Sequence, residues 1–363
     1  MNTSFDHRHY VPCLRWKQGE YKAVSLLSAP ARDLITPLIE VPEKGYDFET
    51  QSDKKTIDEH LAPFAKRVRT TWQQRPCFVD LKLISPEERM DSGIHPVKYV
   101  FEELNAQGCA AIPVTAPDRD LLYQRAVRQA ATRDKRGLCV RVGLEEAAKP
   151  DFKSTIGTLI GEHIAVEECD LILDLGAPNF IPLDGFAELV GAVVDRLPFL
   201  ARWRTFAVIG TAFPPTMAVI KTSPVEVPRN EWLLFKKLVR NLTKAKLRLP
   251  AFGDYVINHP AVLQLDMRLL KPSGTLRYTG DDSWTILKGP NVRDHNFTQY
   301  VDHCKSLMGL PVYRGSTFSK GDEYISECAR RRVSTGNLST WRWVGTNQHL
   351  EKVARDVASL FAA

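Results

Sequence analysis

The sequence predicts an α/β protein: a (β/α)8 barrel of the TIM type, with a C-terminal β-hairpin and helical extension packed on it. Three observations carry that expectation. Eight short apolar runs recur along residues 10–257, most of them are continuous rather than alternating, and helical patterns fill the intervals between them. Continuous runs are how strands of a parallel sheet read when helices cover both faces. Strand and helix alternating through eight strands is the pattern of a closed barrel. An open doubly wound sheet is the competing fold; it needs only about six strands and a glycine-rich first turn, and no GxGxxG follows any of the runs.

The strand candidates are YVPCLR (10–15), ITPLIEV (35–41), CFVDLKLI (77–84), AAIPVTA (110–116), LCVRVG (138–143), DLILDLG (170–176), TFAVIGT (205–211) and AFGDYVI (251–257). The helical segments between them are KAVSLLS, IDEHLAPFAKRVRTTWQ, HPVKYVFEELNAQG, RDLLYQRAVRQAAT, FKSTIGTLIGEHIA, LDGFAELVGAVVDRL and NEWLLFKKLVRNLTKAK, in that order. In these segments apolar residues recur three and four apart, the period of a helix with one buried face. After residue 257 the pattern changes. TLRYTGDDSWTILKG is two β-prone runs about a Gly-Asp-Asp turn, the signature of a hairpin. Helical stretches follow near 294–308, 320–331 and 346–361, separated by the turn-rich GLPVYRGSTFSKGDE and VSTGNLSTW. Trp284, Trp341, Trp343, Tyr300, Tyr313 and Tyr324 favour burial of this last third against the barrel. Residues 1–257 are therefore expected to form the barrel and 258–363 an extension that is not independent.

With 363 residues, 44% hydrophobic and 25% charged, the composition is that of a globular protein with a large core, which excludes a disordered chain. The net charge of +6 and basic stretches such as KKLVRNLTKAKLR permit a nucleic-acid partner. Interspersed acidic residues make solvated helix faces the plainer reading of those stretches. The seven cysteines show no CxxC or other metal-ligand spacing, so the chain is expected to be reduced and cytoplasmic. The opening MNTSFDHRHYVPCLRW lacks the apolar segment and cleavage site of a signal peptide, and no stretch approaches the roughly 20 apolar residues of a membrane span.

In such barrels chemistry sits on the loops after the strands, so polar residues at strand ends are the first candidates. They are Arg15 and Lys17 with Glu20 beyond, Glu40, Asp80 with Lys82, Thr115 and Asp118, Arg141, Asp174, Thr211 and Asp254. A ring of this kind could hold an anionic, nucleotide-like ligand through Lys17, Lys82 and Arg141. Glu40, Asp80 and Asp174 would then supply acid–base groups or ligands for a divalent metal. The alternative is that oppositely charged neighbours pair across the lumen and serve the architecture alone. Period two puts Phe78, Asp80 and Lys82 on one strand face and Val79, Leu81 and Leu83 on the other, so the charged pair is expected to face the lumen. Asp-x-Lys at 80–82 also resembles barrel decarboxylases acting on phosphorylated nucleotides, but LKLISPEER does not supply the further Asp of that pattern.

In the tail, VYRGSTFSKGDEYI gathers Arg314, Ser316, Thr317, Ser319, Lys320, Asp322 and Glu323 before a helix. Amides at a helix start favour an anion, so the loop reads as a phosphate clamp, or more plainly as Ser319 capping the helix with Asp322 three positions on. TGNLSTWRWVGTNQHL adds Asn337, Trp341, Arg342, Asn347 and His349, either a stacking platform for a base or a set of buried side chains. P-loop, HExxH, GxSxG and kinase signatures are absent, and the nine histidines are scattered without the spacing of a zinc site.

The succession YVPCLRWKQGEYKAV, ITPLIEVP, FVDL, FGDYVINHP, LRYTGDDSWTILKG, STFSKGDEYI and TGNLSTWRWVGTNQHL resembles the phage beta-protein family over nearly the whole chain. The resemblance implies a bacteriophage or antiviral-defence setting and no defined activity. Its motifs fall at Lys17, Glu20, Glu40, Asp80, Asp254, Tyr255, Arg277, Asp322, Trp341, Asn347 and His349. Where members end with a His-His pair this chain has Gln348 and His349. Because these positions come from both strand ends and tail, the tail is expected to fold over the mouth or help build the site. Two functions follow. One is a barrel whose mouth, with Arg314 assisting, binds and could hydrolyse or transfer a phosphorylated or nucleic-acid-derived ligand. The other is a non-catalytic protein that recognises a phage component or partner subunit.

Overall fold

A computed structural model describes residues 4–261, 271–295 and 297–362. Its eight parallel barrel strands are β1 (Tyr10–Leu14), β2 (Leu38–Glu40), β3 (Cys77–Asp80), β4 (Ala111–Thr115), β5 (Cys139–Gly143), β6 (Asp170–Asp174), β7 (Thr205–Gly210) and, after an interposed strand β8 (Val225–Pro228), β9 (Ala251–Asp254). Each apolar run of the sequence is one of these strands. Closure comes at β1, which pairs with β9 on one side (Tyr10 opposite Phe252) and with β2 on the other (Cys13 opposite Leu38).

Alternation along each strand builds two cores. Val11, Leu38, Phe78, Ile112, Cys139, Ile172 and Ala251 point inward and fill the lumen. Val79, Val140, Leu171 and Phe252 point outward into a larger core shared with the helices. Being apolar on both faces is what makes the strands read as continuous runs. Gly253 is required by this closure, because a Cβ there would lie 2.2 Å from Ile209 Cγ2 and 2.5 Å from the Val11 carbonyl oxygen.

The covering helices include α1 (Gln18–Ser25), α2 (Phe64–Trp72), α3 (Pro96–Ala106), α4 (Leu121–Asp134), α5 (Phe152–Ile160), α6 (Leu183–Arg196) and α7 (Asn230–Lys244). Helix α4 shows how the sequence sets their limits. Asp120 accepts from the Tyr123 amide at 2.9 Å and starts it; Tyr123, Ala126, Val127, Ala130 and Ala131 form the buried stripe; Lys135 ends it in a left-handed conformation.

The tail contains the expected hairpin, β10 (Ser273–Thr279) with β11 (Ser283–Asn291), and helices α8 (Gln299–Met308), α9 (Lys320–Ala329) and α10 (Leu338–Leu360). The stretch expected near 294–308 includes residue 296, which lies outside the described residues. Two features differ from expectation. Strand β8, from the loop after β7, adds to the hairpin to make the sheet β8-β11-β10. Its VEVP is too short, with a proline at its end, to stand out in the sequence. Helix α10 begins at Leu338 rather than near 346, because Asn337 caps it by accepting from the Thr340 amide at 3.1 Å. That helix packs beside α1 and β1 and buries Leu350, Val353, Ala354 and Val357 in the core that covers the strands. It occupies the place of the eighth barrel helix, so β10, β11, α8 and α9 are inserted between the last barrel strand and the last barrel helix. A second core, with Tyr278, Tyr300, Leu307, Ile325 and Trp341, holds the insertion together. All seven cysteines are buried free thiols. Among the described residues no helix is long and apolar enough to cross a membrane.

Candidate functional site

Inward-facing positions at the strand ends bring Glu40, Asp80, Arg141 and Asp174 together at the barrel mouth, and Arg141 is their centre. Its guanidinium donates from Nη1 to Glu40 Oε1 at 2.8 Å and to Asp80 Oδ2 at 2.9 Å. From Nε and Nη2 it donates to Asp174 Oδ2 at 2.9 and 2.7 Å, and Nη2 also donates to the Tyr255 hydroxyl at 2.8 Å. Tyr255 passes the contact on, donating to Asp174 Oδ2 at 2.7 Å. Lys82 Nζ lies 2.7 Å from Glu40 Oε1, Arg119 Nη2 lies 3.5 Å from Asp80 Oδ2, and Arg15 Nε lies 3.9 Å from Glu40 Oε2. Arg119 also donates from Nη1 to Asp118 Oδ1 at 2.6 Å, so among the described residues four cations face four carboxylates.

Arg141, Glu40 and Asp80 are buried, so this is an ion network in low dielectric, where pairing has to offset desolvation. Burial pushes Glu40 up, but Arg141 and then Lys82 outweigh it and hold its carboxyl at about 2. Asp174 is likewise held below the carboxylate range: burial opposes, and Arg141, Lys82 and the Tyr255 hydroxyl prevail. Burial, reinforced by Asp174, pushes the Tyr255 phenol well above its ordinary value. Carboxylates held this low are weak bases at neutral pH. A divalent cation would meet the Arg141 guanidinium at the point where the three carboxylates converge. Among the described residues no group of three or more His, Cys, Asp or Glu side chains is placed to hold a metal.

Beside the network opens a cavity of about 840 Å³ between the loops after β4, β5 and β6. Lys82, Arg119, Arg141, Asp174 and Tyr255 form its polar floor. Pro117, Val142, Leu144, Leu175, Pro178, Phe186 and Pro260 form apolar walls, and Asp118, Glu145, Glu146 and Lys149 stand further out. Lys82 retains 21% side-chain exposure and Arg119 13%, and Arg119 Nε has no hydrogen-bond partner. Both cations line the cavity, and Lys82, with Glu40 as its one ion-pair partner among the described residues, has donor capacity left over. Tyr255 is held there by strained backbone: Val256, β-branched, adopts φ 60°, fixed by its amide donating to Asp254 Oδ1 at 2.8 Å.

The other expected residues are placed elsewhere. Asp254 falls on the outward face of β9, between Gly253 and Tyr255, which point inward. It accepts from the Tyr10 hydroxyl at 2.5 Å and pairs with His349 Nε2 at 2.9 Å, while His349 Nδ1 lies 2.9 Å from Thr279 Oγ1. All four are buried, so this chain of contacts fastens α10 and the hairpin to the barrel wall. Burial, opposed by Asp254, holds His349 below its ordinary range. Gln348 accepts from the Thr279 amide and donates to its carbonyl, both at 2.9 Å, as a neighbouring strand would.

Asn347 accepts from the Gly321 amide and donates to the Ala23 carbonyl. Trp341 is buried and stacked on Tyr300 at 4.1 Å, so it offers no platform for a base. Asp322 accepts from the Tyr278 hydroxyl at 2.7 Å and from Ser319 Oγ at 2.6 Å, and Ser319 caps α9, so the plainer reading of that loop is the one observed. Arg314 pairs with Asp281 at the hairpin turn, away from the cavity. Lys17 pairs with Glu43 at 2.7 Å on the exposed side of the mouth. Glu20 is buried, accepting from Asn258 Nδ2 at 2.6 Å, and burial raises its carboxyl against the pull of Arg342. Burial, aided by Arg342, pushes the Arg277 guanidinium down to about 9 over the Phe213 ring.

Arg119 is the mouth residue that sequence reasoning misses. It lies beyond the end of β4, where period two no longer says which way a side chain points. Tyr255, among the positions the family resemblance implies, is also reached by extending the alternation of Ala251 and Gly253 by one step. Of the described residues after 257, Pro260 lines the cavity, and Arg15 Nη2 fastens that segment by donating to the His259, Pro260 and Ala261 carbonyls.

A family model described as Beta protein matches residues 10–355. No curated protein is matched. Among solved structures, a mutant tryptophan synthase α-subunit from the hyperthermophile Pyrococcus furiosus is similar at 11% identity and a TM-score of 0.38, covering 70% of this chain and 90% of that one. Triosephosphate isomerase from Bartonella henselae is similar at 14% identity and a TM-score of 0.36, covering 68% and 92%. An endoglucanase from an uncultured bacterium is similar at 7% identity and a TM-score of 0.36, covering 68% and 79%.

Proposed function

The chain belongs to the Beta protein family, and from that premise and the geometry of the mouth we propose that it binds a small anionic ligand, of phosphorylated or nucleotide-like type, in the cavity between the loops after β4, β5 and β6. The observation that carries this reading is the pair Lys82 and Arg119, which line one side of the cavity: Lys82 has one carboxylate partner among the described residues and keeps 21% side-chain exposure, and Arg119 is shared between Asp80 and the exposed Asp118. The ligand's anionic group sits on Lys82 and Arg119, and its apolar body lies against Leu144, Leu175 and Phe186. Tyr255 and Asp174 hold the Arg141 guanidinium in the floor beside the group. Glu40 and Asp80 hold Arg141 and Lys82 in place rather than moving protons, since the low proton affinity of Glu40 suits a fixed counter-ion. The bacteriophage or antiviral-defence setting belongs to this reading through the family resemblance.

Isothermal titration with inorganic phosphate and with phenyl phosphate tests it. Phenyl phosphate is expected to bind more tightly, and Lys82→Gln or Arg119→Gln to weaken binding about tenfold or more, the scale of one charge-assisted hydrogen bond. Absence of binding, or binding by both variants as tight as that of the wild type, refutes the proposal.

A second reading, a non-catalytic interaction protein, is favoured by the exposed apolar side chains of Leu121 and Leu122, which open α4, and of Ile181 in the loop after β6. It predicts that charged replacements at these three positions abolish capture of a protein partner while Lys82→Gln does not.

A further inference from the structure

Outside the mouth, helices α4 and α5 enclose a second concavity of about 830 Å³, lined by Arg125, Arg128, Arg133 and His163, with Glu162 as its lining carboxylate. It shares Ile160, Gly161 and Ile164 with an adjoining hollow of about 530 Å³ that runs past Lys153 and Val166 to Phe199. The two form one trough across the C-terminal end of α5. Its saddle is Gly161, whose φ of 76° and missing Cβ leave room for Arg128; a Cβ there would lie 3.2 Å from Arg128 Cδ.

The charges in the basic half are unevenly spent. Arg133 pairs with Asp134 and Glu102. Arg128 donates Nη1 to the Thr158 carbonyl at 3.2 Å and meets no carboxylate among the described residues. Arg125 is exposed and has no ion pair or hydrogen bond among the described residues. Being three apart on α4, Arg125 and Arg128 stand on the same helix face, roughly 4.5 Å apart along the axis. The other half has an apolar floor of Ile160, Ile164 and Val166. It ends at Phe199, whose ring is flanked by Lys153 at 5.5 Å and Arg202 at 5.3 Å.

We propose that this trough binds single-stranded nucleic acid, with backbone phosphates on Arg125 and Arg128 and a base against the Ile160, Ile164 and Phe199 surface. Unpaired guanidinium groups in a concavity match phosphodiesters. An apolar, aromatic-ended half beside them suits an unstacked base, which duplex does not offer. An acidic protein segment would satisfy the arginines and leave the apolar half without a matching group.

Fluorescence anisotropy with a labelled oligo-dT strand, the same sequence as duplex, and a labelled polyglutamate peptide tests the assignment on the full chain. With two to three phosphates neutralised, affinity for the single strand falls roughly 7- to 18-fold between 50 and 200 mM salt. Arg125→Gln combined with Arg128→Gln lowers that salt dependence and weakens binding at least tenfold. The same double variant keeps wild-type binding of phenyl phosphate at the mouth, so failure of this site and failure of the mouth site are separable. Circular dichroism confirms that the variants are folded. The proposal is overturned if the single strand does not bind, if the arginine double variant binds it as wild type does, or if duplex or polyglutamate binds more tightly.

Discussion

Replacing Arg141 by methionine removes the one group that touches Glu40, Asp80, Asp174 and Tyr255 while keeping an unbranched side chain of adaptable shape in the lumen. Three carboxylates then remain in the mouth with Lys82 and Arg119 as their nearest counter-charges. Removing one partner of a buried ion pair costs roughly 3–5 kcal/mol. The structure yields a similar figure: Glu40 is held at about 2 against an ordinary 4.5, which at 1.36 kcal/mol per unit corresponds to about 3 kcal/mol from this carboxylate alone. The pH dependence distinguishes this account from a simple packing loss. In the wild type the folded pKa of Glu40 lies below the unfolded value, so its contribution is present above pH 4.5 and is lost as pH falls toward 2. In Arg141→Met, burial pushes the Glu40 and Asp174 carboxyls upward; the folded state then holds protons more tightly than the unfolded state, and stability falls as pH rises. The gap between the two proteins therefore widens from about pH 4 to pH 8. Urea unfolding followed by tryptophan fluorescence at pH 5 and pH 8 measures it. A loss equal at both pH values, or below about 1 kcal/mol at pH 8, refutes the view that Arg141 is the electrostatic keystone of the mouth.

Further outcomes follow from the same contacts. His349→Ala, which strips Asp254 and Thr279 of a buried partner, is expected to cost about 3 kcal/mol in chemical unfolding while leaving phosphate binding at the mouth within twofold. Asp322 is raised by burial to about 6, above its unfolded 3.8. Its favourable contribution is therefore present below pH 3.8 and lost as pH rises through 6, and Asp322→Asn should flatten the melting temperature between pH 4 and pH 7 relative to wild type. Trp341→Ala empties the stack on Tyr300 and is expected to destabilise by about 3–5 kcal/mol, read by calorimetry. Titration with Mg²⁺ or Mn²⁺ is expected to give no binding heat that Asp80→Ala abolishes, because Arg141 already occupies the convergence of the carboxylates.

The sequence by itself determined the barrel. Its eight strands are buried on both faces, and a doubly buried strand is apolar wherever its polar groups have no partner, so YVPCLR, DLILDLG and their counterparts announce themselves. It also determined which way Glu40, Asp80, Arg141 and Asp174 point, because period two carries inward-facing apolar neighbours such as Leu38, Phe78, Cys139 and Ile172 on to the strand end. Tertiary structure alone decided which charges meet. Nothing local to Arg141 says that it will gather three carboxylates from three other strands, since that follows from barrel closure. Arg119 lies past the strand, where the alternation stops. Asp254 looked like one more strand-end carboxylate, but its parity turns it outward to Tyr10 and His349. The last helix likewise reads as part of an appendage. Only the return of the chain to bury Leu350, Val353 and Val357 against the barrel makes it the eighth helix, because the apolar face of α10 is complementary to a surface whose residues lie hundreds of positions earlier in the chain.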